Sequence, residues 1–296
     1  MTLPAHEPVM VAEVVDLLAP SRGGLFVDCT VGLGGHARAL LEGGASRVLG
    51  LDRDQDALRI ATVRLQEFGD RVDLVHADFR DLPAILDARQ VPGMAGALAD
   101  LGVSSLQLDS EGRGFSFRRD EPLDMRMDRS QGATAADLLA QAGEEELANI
   151  IFDYGEERYS RRIARVIVEA RRRQPVATTG QLAELVRRAV PRRGYQRLDP
   201  ATRTFQALRI WVNRELDRLD AFLEQACDRL LVGARLAVIT FHSREDRIVK
   251  HTFRAWAHGA RALAIVTKRP LVPGAAEIDR NPRARSAKLR AIERLA

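Results

Sequence analysis

Asp28, Gly32, Gly34, Gly35, His36 and Asp52 have the residue types and the spacing that hold a nucleoside. An apolar run, Leu25-Phe26-Val27, leads into Asp28-Cys29-Thr30-Val31-Gly32-Leu33-Gly34-Gly35-His36, and a helix-like stretch with Ala37, Leu40 and Leu41 follows. Gly32 and Gly34 permit a sharp turn and a close approach of backbone to ligand that a Cβ would prevent. Asp52 ends the next apolar run, Val48-Leu49-Gly50-Leu51. From a strand end in that position a carboxylate can accept both hydroxyls of a ribose. The pattern implies a nucleoside-type cofactor without choosing it. Gly32-Leu33-Gly34-Gly35-His36-Ala37 also fits the dinucleotide fingerprint, so NAD is a rival to S-adenosylmethionine.

Three further features favour the methyl donor. Asp28 lies four residues before Gly32, where a carboxylate suits the ammonium of a methionine but repels a pyrophosphate. The third apolar run ends His76-Ala77-Asp78-Phe79, a polar group and an aromatic wall for an adenine. The fourth ends Ala99-Asp100-Leu101-Gly102, another carboxylate at the edge where such folds bind ligands. Plainer readings exist for each: Asp28 and Asp78 as helix caps, and Phe79 as a core residue. His242 and Ser243, after a fifth run, are a second polar pair, although Ser243 also reads as a cap.

These residues need a scaffold. Strand-like segments at 25–30, 47–52, 72–77 and 94–101 alternate with helices after a short amphipathic helix at 9–18. Such βα alternation implies a parallel sheet covered on both sides. The alternation breaks near Leu106, and a polar stretch at 111–128 has no periodicity. Helices are expected at 135–142, 145–154, 160–173 and 179–190, with Ser160 and Thr179 as N-caps, and a long helix at 200–232. Strand character returns at 236–241, a helix follows from Ser243, and two strands close the chain near 262–267 and 286–295. The expected architecture is therefore α/β, a Rossmann-like sheet of seven mostly parallel strands interrupted by an all-helical insertion. The sheet domain is assigned to 1–106 plus 204–296, and the insertion to 107–203.

Composition narrows the class. With 46% hydrophobic residues, no apolar run of the roughly 18–20 needed to span a bilayer, and an N-terminus without a basic or apolar core, a cytoplasmic protein is expected. Cys29 and Cys227 give neither a metal-ligand spacing nor a disulfide framework. Nothing in the sequence sets an oligomeric state. The net charge of +4 is unevenly spread: 158–209 holds fourteen arginines against Glu169, Glu184 and Asp199, a net +11 that leaves −7 elsewhere. A polyanion partner for that segment is one reading, and a solvated helical surface is the other. Arginine without lysine favours recognition, because the guanidinium binds phosphate bidentately and stacks on bases.

A longer set of motifs is more specific. Leu51-Asp52-Arg53-Asp54, Asp100-Leu101-Gly102-Val103-Ser104-Ser105, Gln107-Leu108-Asp109 and Arg113-Gly114-Phe115-Ser116-Phe117 follow the glycine turn in order. Pro122-Leu123-Asp124-Met125-Arg126-Met127, Thr204-Phe205-Gln206-Ala207-Leu208-Arg209, Phe241-His242-Ser243 and Asn281-Pro282-Arg283-Ala284-Arg285-Ser286 come after them. Together they resemble the bacterial small-subunit ribosomal RNA cytosine-N4 methyltransferases (the RsmH or MraW family) over nearly the whole chain. The resemblance implies S-adenosylmethionine-dependent methylation of one cytosine amine in the decoding region of 16S rRNA, with that RNA or the small subunit as partner. It implies cofactor contacts at Gly34, Gly35, His36, Asp52, Phe79, Asp100 and Gln107. Gln107, taken alone, reads as a solvated loop residue. Asp100 is also the candidate to accept the hydrogens of the target amine, although Asp100-Leu101-Gly102-Val103 lacks the Pro-Pro-aromatic sequence that many amino-methyltransferases carry there. Readings from other classes are an NAD-linked oxidoreductase and a non-catalytic RNA-binding assembly factor.

Overall fold

The computed structural model describes residues 7–191, 198–259 and 261–296. Arg192 and Arg193, two of the arginines counted over 158–209, and Tyr195 beside them lie outside the described residues. The chain forms two compact units: one runs to Gly102 and resumes as Arg218–Ala296, and the other is Val103–Asp217.

The first unit opens with α1 (Val11–Leu18) and then alternates β1 (Leu25–Asp28), α2 (Gly35–Glu42), β2 (Arg47–Asp52), α3 (Gln55–Leu65), β3 (Val72–His76), α4 (Leu82–Ala88) and β4 (Met94–Asp100). Residues Phe26–Asp28, Val48–Leu51 and 96–99 are buried without alternation, as parallel strands covered on both faces must be. The second unit contributes α5 (Ser105–Asp109), α6 (Ala135–Gln141), α7 (Glu144–Gly155), α8 (Ser160–Arg171), α9 (Thr179–Ala189) and α10 (Ala201–Asn213). The chain then completes the first unit with α11 (Leu219–Asp228), β5 (Leu230–Thr240), α12 (Ser243–Ala257), β6 (Leu263–Ile265), α13 (Ala275–Arg280) and β7 (Lys288–Arg294).

The seven strands lie in the order β3-β2-β1-β4-β5-β7-β6, with β7 antiparallel to both neighbours. The expected mostly parallel sheet is therefore present. Its order turns back between β1 and β4, and in such sheets ligands bind beyond the carboxyl ends of the strands at that reversal. Asp28 and Asp100 are the last residues of those two strands. Asp52 and His76, paired in register, end β2 and β3 on the same edge.

The helical unit folds around its own core, including Leu147, Ile151, Ile163, Ile167, Leu182, Val186, Phe205 and Leu208. On α8, Ile163, Ala164, Ile167 and Val168 form the buried face, while Arg161, Arg162 and Arg165 are exposed on the other. Burying each such Ile or Val stabilises the unit by about 1.5–3 kcal/mol.

Some expectations need correction. The single helix at 200–232 is two helices and the start of a strand. Arg214 takes a left-handed conformation (φ 51°) that ends α10, and Arg218 does so (φ 55°) just before α11. The apolar spacing continued through the break because both helices bury one face, α10 in the helical unit and α11 in the sheet unit. The helical unit thus extends through α10, which packs on α7 and α9, to Asp217. Caps sit one residue earlier than expected: Thr178 caps α9 in a reciprocal box with Gln181, and His242 caps α12 with Glu245. Tyr159 rather than Ser160 precedes α8, and the Ser160 side chain is buried.

Candidate active site

The loop after β1 is fixed from the two flanking strands, β2 and β4. Cys29 donates its N–H to the Leu98 carbonyl (2.8 Å), Val31 to that of Leu51 (2.8 Å), and Thr30 Oγ1 accepts the Asp100 N–H (2.7 Å). Gly32 donates to Asp52 Oδ2 (2.7 Å), while Asp52 Oδ1 accepts the Asp54 N–H (2.8 Å). The carboxylate predicted to read a ribose therefore also clamps the glycine turn, and each oxygen keeps a further lone pair for a hydroxyl.

Gly34 caps α2 with φ 85°, a conformation costly for any residue with a Cβ, and a Cβ there would lie 3.0 Å from Leu65 Cδ1. Gly35 has an ordinary backbone, but its Cβ would lie 2.7 Å from Pro8 Cγ. Gly35→Ala must displace the Pro8 segment, and overpacking of this kind costs about 1–3 kcal/mol. Urea unfolding should show that loss; a midpoint unchanged from the wild type would mean the segment moves aside freely.

Behind the turn, three ionisable groups carry buried, unsatisfied atoms. Asp28 Oδ1 accepts the Thr30 N–H (3.2 Å), but Oδ2 has no partner. His36, on the first turn of α2, has neither ring nitrogen hydrogen-bonded; its Nε2 stands 3.5 Å from Asp100 Oδ2. Asp100 Oδ1 is likewise buried and unpartnered. Buried polar atoms are rarely left so, and four of them on three side chains mark a site built for a polar ligand.

Their electrostatics agree. Burial pushes the Asp28 carboxyl up to about 7, with Asp100 and Asp52 adding to the rise and His36 and the Thr30 N–H opposing it. Burial raises Asp52 to about 6 against the Asp54 and Gly32 N–H groups, Asp54 adding to the rise and Arg53 opposing it. For His36, burial alone favours the neutral ring, but Asp100, Asp28 and Glu277 outweigh it and the pKa rises.

All three groups bind protons more tightly folded than unfolded. The stability they contribute is full at low pH, below the carboxylates' ordinary 3.8, and is lost as pH rises through about 6 and 7. Relative to an Asp28→Asn variant, the cofactor-free wild type should therefore lose stability between about pH 5 and 8. Thermal melts of both proteins across that range test this. A stability difference that is flat or grows with pH would contradict the assignment.

The other predicted residues divide. Phe79 is buried against Phe222, ring centroids 4.5 Å apart at 51°, which fixes the aromatic wall beyond β3. Asp78 caps the turn Phe79–Asp81 and pairs with Arg80 (2.7 Å) and Arg53 (3.5 Å). Burial would raise its pKa, but the two guanidinium groups hold it below the usual carboxylate range. Asp78 is thus committed to structure, as its plainer reading held. His242 caps α12, its Nδ1 accepting the Glu245 N–H (3.4 Å), while its buried Nε2 lies 3.1 Å from Glu245 Oε1 without a hydrogen bond.

Gln107, in the helical unit, is not a solvated loop residue. It is buried, and its side-chain carbonyl accepts the Ser104 N–H (3.0 Å) in the box that caps α5. Ser104 followed three residues later by Gln107 was the signal available for this.

The arginine-rich segment is less free than its charge implied. Arg171 donates to the Leu139 carbonyl, Arg187 pairs with Asp199 (2.8 Å) and Arg188 with Glu184. Arg158 lies over the Tyr159 ring (4.8 Å), and Tyr159 itself packs against the helical core. Arg161, Arg162, Arg172 and Arg173 are exposed, with no carboxylate partner among the described residues.

The seven-stranded doubly wound sheet carries Asp28, Asp52 and Asp100 at the carboxyl ends of β1, β2 and β4, and the match to a methylase family makes the chain an S-adenosylmethionine-dependent methyltransferase. Residues 4–295 match the MraW methylase family, and the chain belongs to that family. It is 50% identical to ribosomal RNA small subunit methyltransferase H of Nitrobacter winogradskyi, over 99% of this chain and 92% of that one. With the protein of the same name from Synechococcus elongatus it shares 51% identity over 98% and 95% of the two chains. An rRNA methylase from Streptococcus thermophilus aligns over 99% of this chain and 100% of its own, at 15% identity and a TM-score of 0.45. The NAD-linked and non-catalytic readings find no support. No helix among the described residues is long and apolar enough to cross a membrane.

Proposed function

We propose that this chain transfers a methyl group from S-adenosylmethionine to the exocyclic N4 of a cytosine in the decoding region of 16S rRNA, in the cytoplasm. Identity of about one half to enzymes named for small-subunit ribosomal RNA, across nearly the whole chain, carries this reading. It is tested by incubating the protein with isotopically labelled S-adenosylmethionine and either small- or large-subunit RNA. Label confined to the small-subunit RNA supports it, and label in neither or mainly in the large-subunit RNA contradicts it.

The residues at these strand ends suit the cofactor. We assign the ribose to Asp52, the adenine to the wall formed by Phe79, and the methionine end to the turn at Gly34, Gly35 and His36. The unpartnered Oδ2 of Asp28 offers an acceptor for an ammonium. When bound, S-adenosylmethionine supplies a methyl group on a positively charged sulfur. Positioning supplies most of the rate for such an in-line displacement. The chain's chemical task lies with the nucleophile: the cytosine amine is conjugated with its ring and must pyramidalise. Asp100 Oδ1, buried and unpartnered, is suited to accept an amine hydrogen and then the released proton. Gln107 takes its place in the assignment from the family resemblance alone.

The helical unit is assigned to RNA recognition. Arg172 and Arg173 are better placed as phosphate ligands than Arg187 and Arg188, which are already paired. Arg172→Gln/Arg173→Gln should weaken RNA binding and lower the salt slope by about 0.7 per lost contact on a single strand, leaving cofactor affinity intact. Arg187→Gln/Arg188→Gln should have the smaller effect. Filter binding across salt concentrations checks both; equal slopes in all three proteins would make α8 and α9 merely solvated.

A further inference from the structure

A second basic segment lies in the sheet unit. Residues 244–294 hold thirteen lysines and arginines against five acidic residues, a net +8. Everything outside 158–209 sums to −7, so the remainder of the chain carries −15. The positive charge is thus concentrated in two segments, one in each unit.

Pairing removes part of this second charge. Asp246 accepts from Lys288 Nζ (3.0 Å) and Arg290 Nε (2.7 Å), and Glu293 holds Arg235 (2.7 Å). Glu245 is engaged in the cap of α12, and Glu277 accepts the Met10 N–H (2.7 Å). Asp279, exposed on α13, is the remaining acid of the segment. Lys268, Arg269 and Arg285 are exposed and have no carboxylate partner among the described residues.

The backbone brings these three together. Lys268 and Arg269 follow Thr267, whose Oγ1 accepts the Ala291 N–H (2.9 Å), and precede Leu271, which exchanges hydrogen bonds with Leu289 (2.9 Å each way). Arg285 lies in the turn Pro282–Ser286 that delivers the chain to Lys288, the first residue of β7. Because Lys288 pairs with Thr240, the last residue of β5, this end of β7 is on the edge that carries Asp100. Two to three strand spacings separate β4 from β7 and β6, which puts the basic group about 10–15 Å along the edge from Asp100. That span matches about three to four phosphates of a stacked strand.

We propose that Lys268, Arg269 and Arg285 form a phosphate-binding strip on the sheet unit itself, for the single-stranded RNA beside the target cytosine. The inference rests on the proposed rRNA substrate. A base brought to the methyl donor must leave its stack, so its neighbours arrive unpaired with their phosphates at this edge.

The test is a Lys268→Gln/Arg269→Gln/Arg285→Gln variant, with a labelled 20-nucleotide single-stranded RNA of decoding-region sequence as probe. Fluorescence anisotropy across salt concentrations should show a salt slope lower by about 2, about 0.7 for each of three contacts, and RNA binding at least about tenfold weaker. Calorimetric affinity for S-adenosylmethionine should not change, and Arg269→Lys/Arg285→Lys should keep the wild-type slope. If the triple variant melts below the wild type, Arg285→Gln alone should still lower the slope by about 0.7. An unchanged slope overturns the proposal. Unchanged RNA binding with weakened binding to whole small subunits also overturns it, since the strip would then face protein. Wild-type protein that fails to methylate small-subunit RNA defeats the substrate reading itself; normal methylation beside an unchanged slope defeats this inference alone.

Discussion

Asp52→Ala should weaken S-adenosylmethionine binding by roughly 100-fold or more, because two losses coincide. Charge-assisted hydrogen bonds to the ribose contribute about 1.5–3 kcal/mol each, which alone corresponds to roughly 10- to 150-fold. The same carboxylate also accepts the N–H groups of Gly32 and Asp54, so its removal frees the turn that must receive the cofactor. Asp52→Asn separates the two contributions: its amide oxygen can still accept one of those N–H groups, so it should fall between Ala and wild type. Calorimetry with the three proteins reads the order directly. Wild-type affinity in the alanine variant would remove the ribose assignment and leave Asp52 a clamp for the loop.

Asp100→Asn should slow methyl transfer at saturating cofactor by about 100- to 10,000-fold, the range for a positioned acid–base group. The side chain keeps nearly the same size, and the Thr30 hydroxyl still accepts the Asp100 N–H, so the end of β4 should hold its place. What disappears is the negative charge beside His36 and, with it, the capacity to take up a proton; the amide keeps only one of the two acceptor oxygens. Single-turnover rates at saturating S-adenosylmethionine isolate this from binding. A large fall in cofactor affinity with a normal saturated rate would restrict Asp100 to holding the cofactor.

The sequence made the cofactor half of this site legible because glycines and strand-end carboxylates are local signals. Asp28, Gly32, Gly34 and Asp52 fall within 25 residues, and βα alternation alone places them on one edge. Signals that depend on partners were misread. Asp78 stood as an equal among four strand-end carboxylates until Arg53 and Arg80 proved to occupy it. The arginine count over 158–209 overstated the free charge, because Asp199, Glu184 and the Leu139 carbonyl engage three of them. The break between α10 and α11 was hidden for a different reason. Left-handed arginines leave no trace in apolar spacing, and each helix has its own core to satisfy.

The most direct test of the central claim is nucleoside mass spectrometry of small-subunit rRNA from cells lacking this protein, with and without the gene restored. The proposed function predicts that a methyl group on N4 of one decoding-region cytosine is absent without the protein and returns with it, but not with an Asp52→Ala copy. An N4-methyl mark that persists without the protein, or a lost mark on another atom or base, would contradict it.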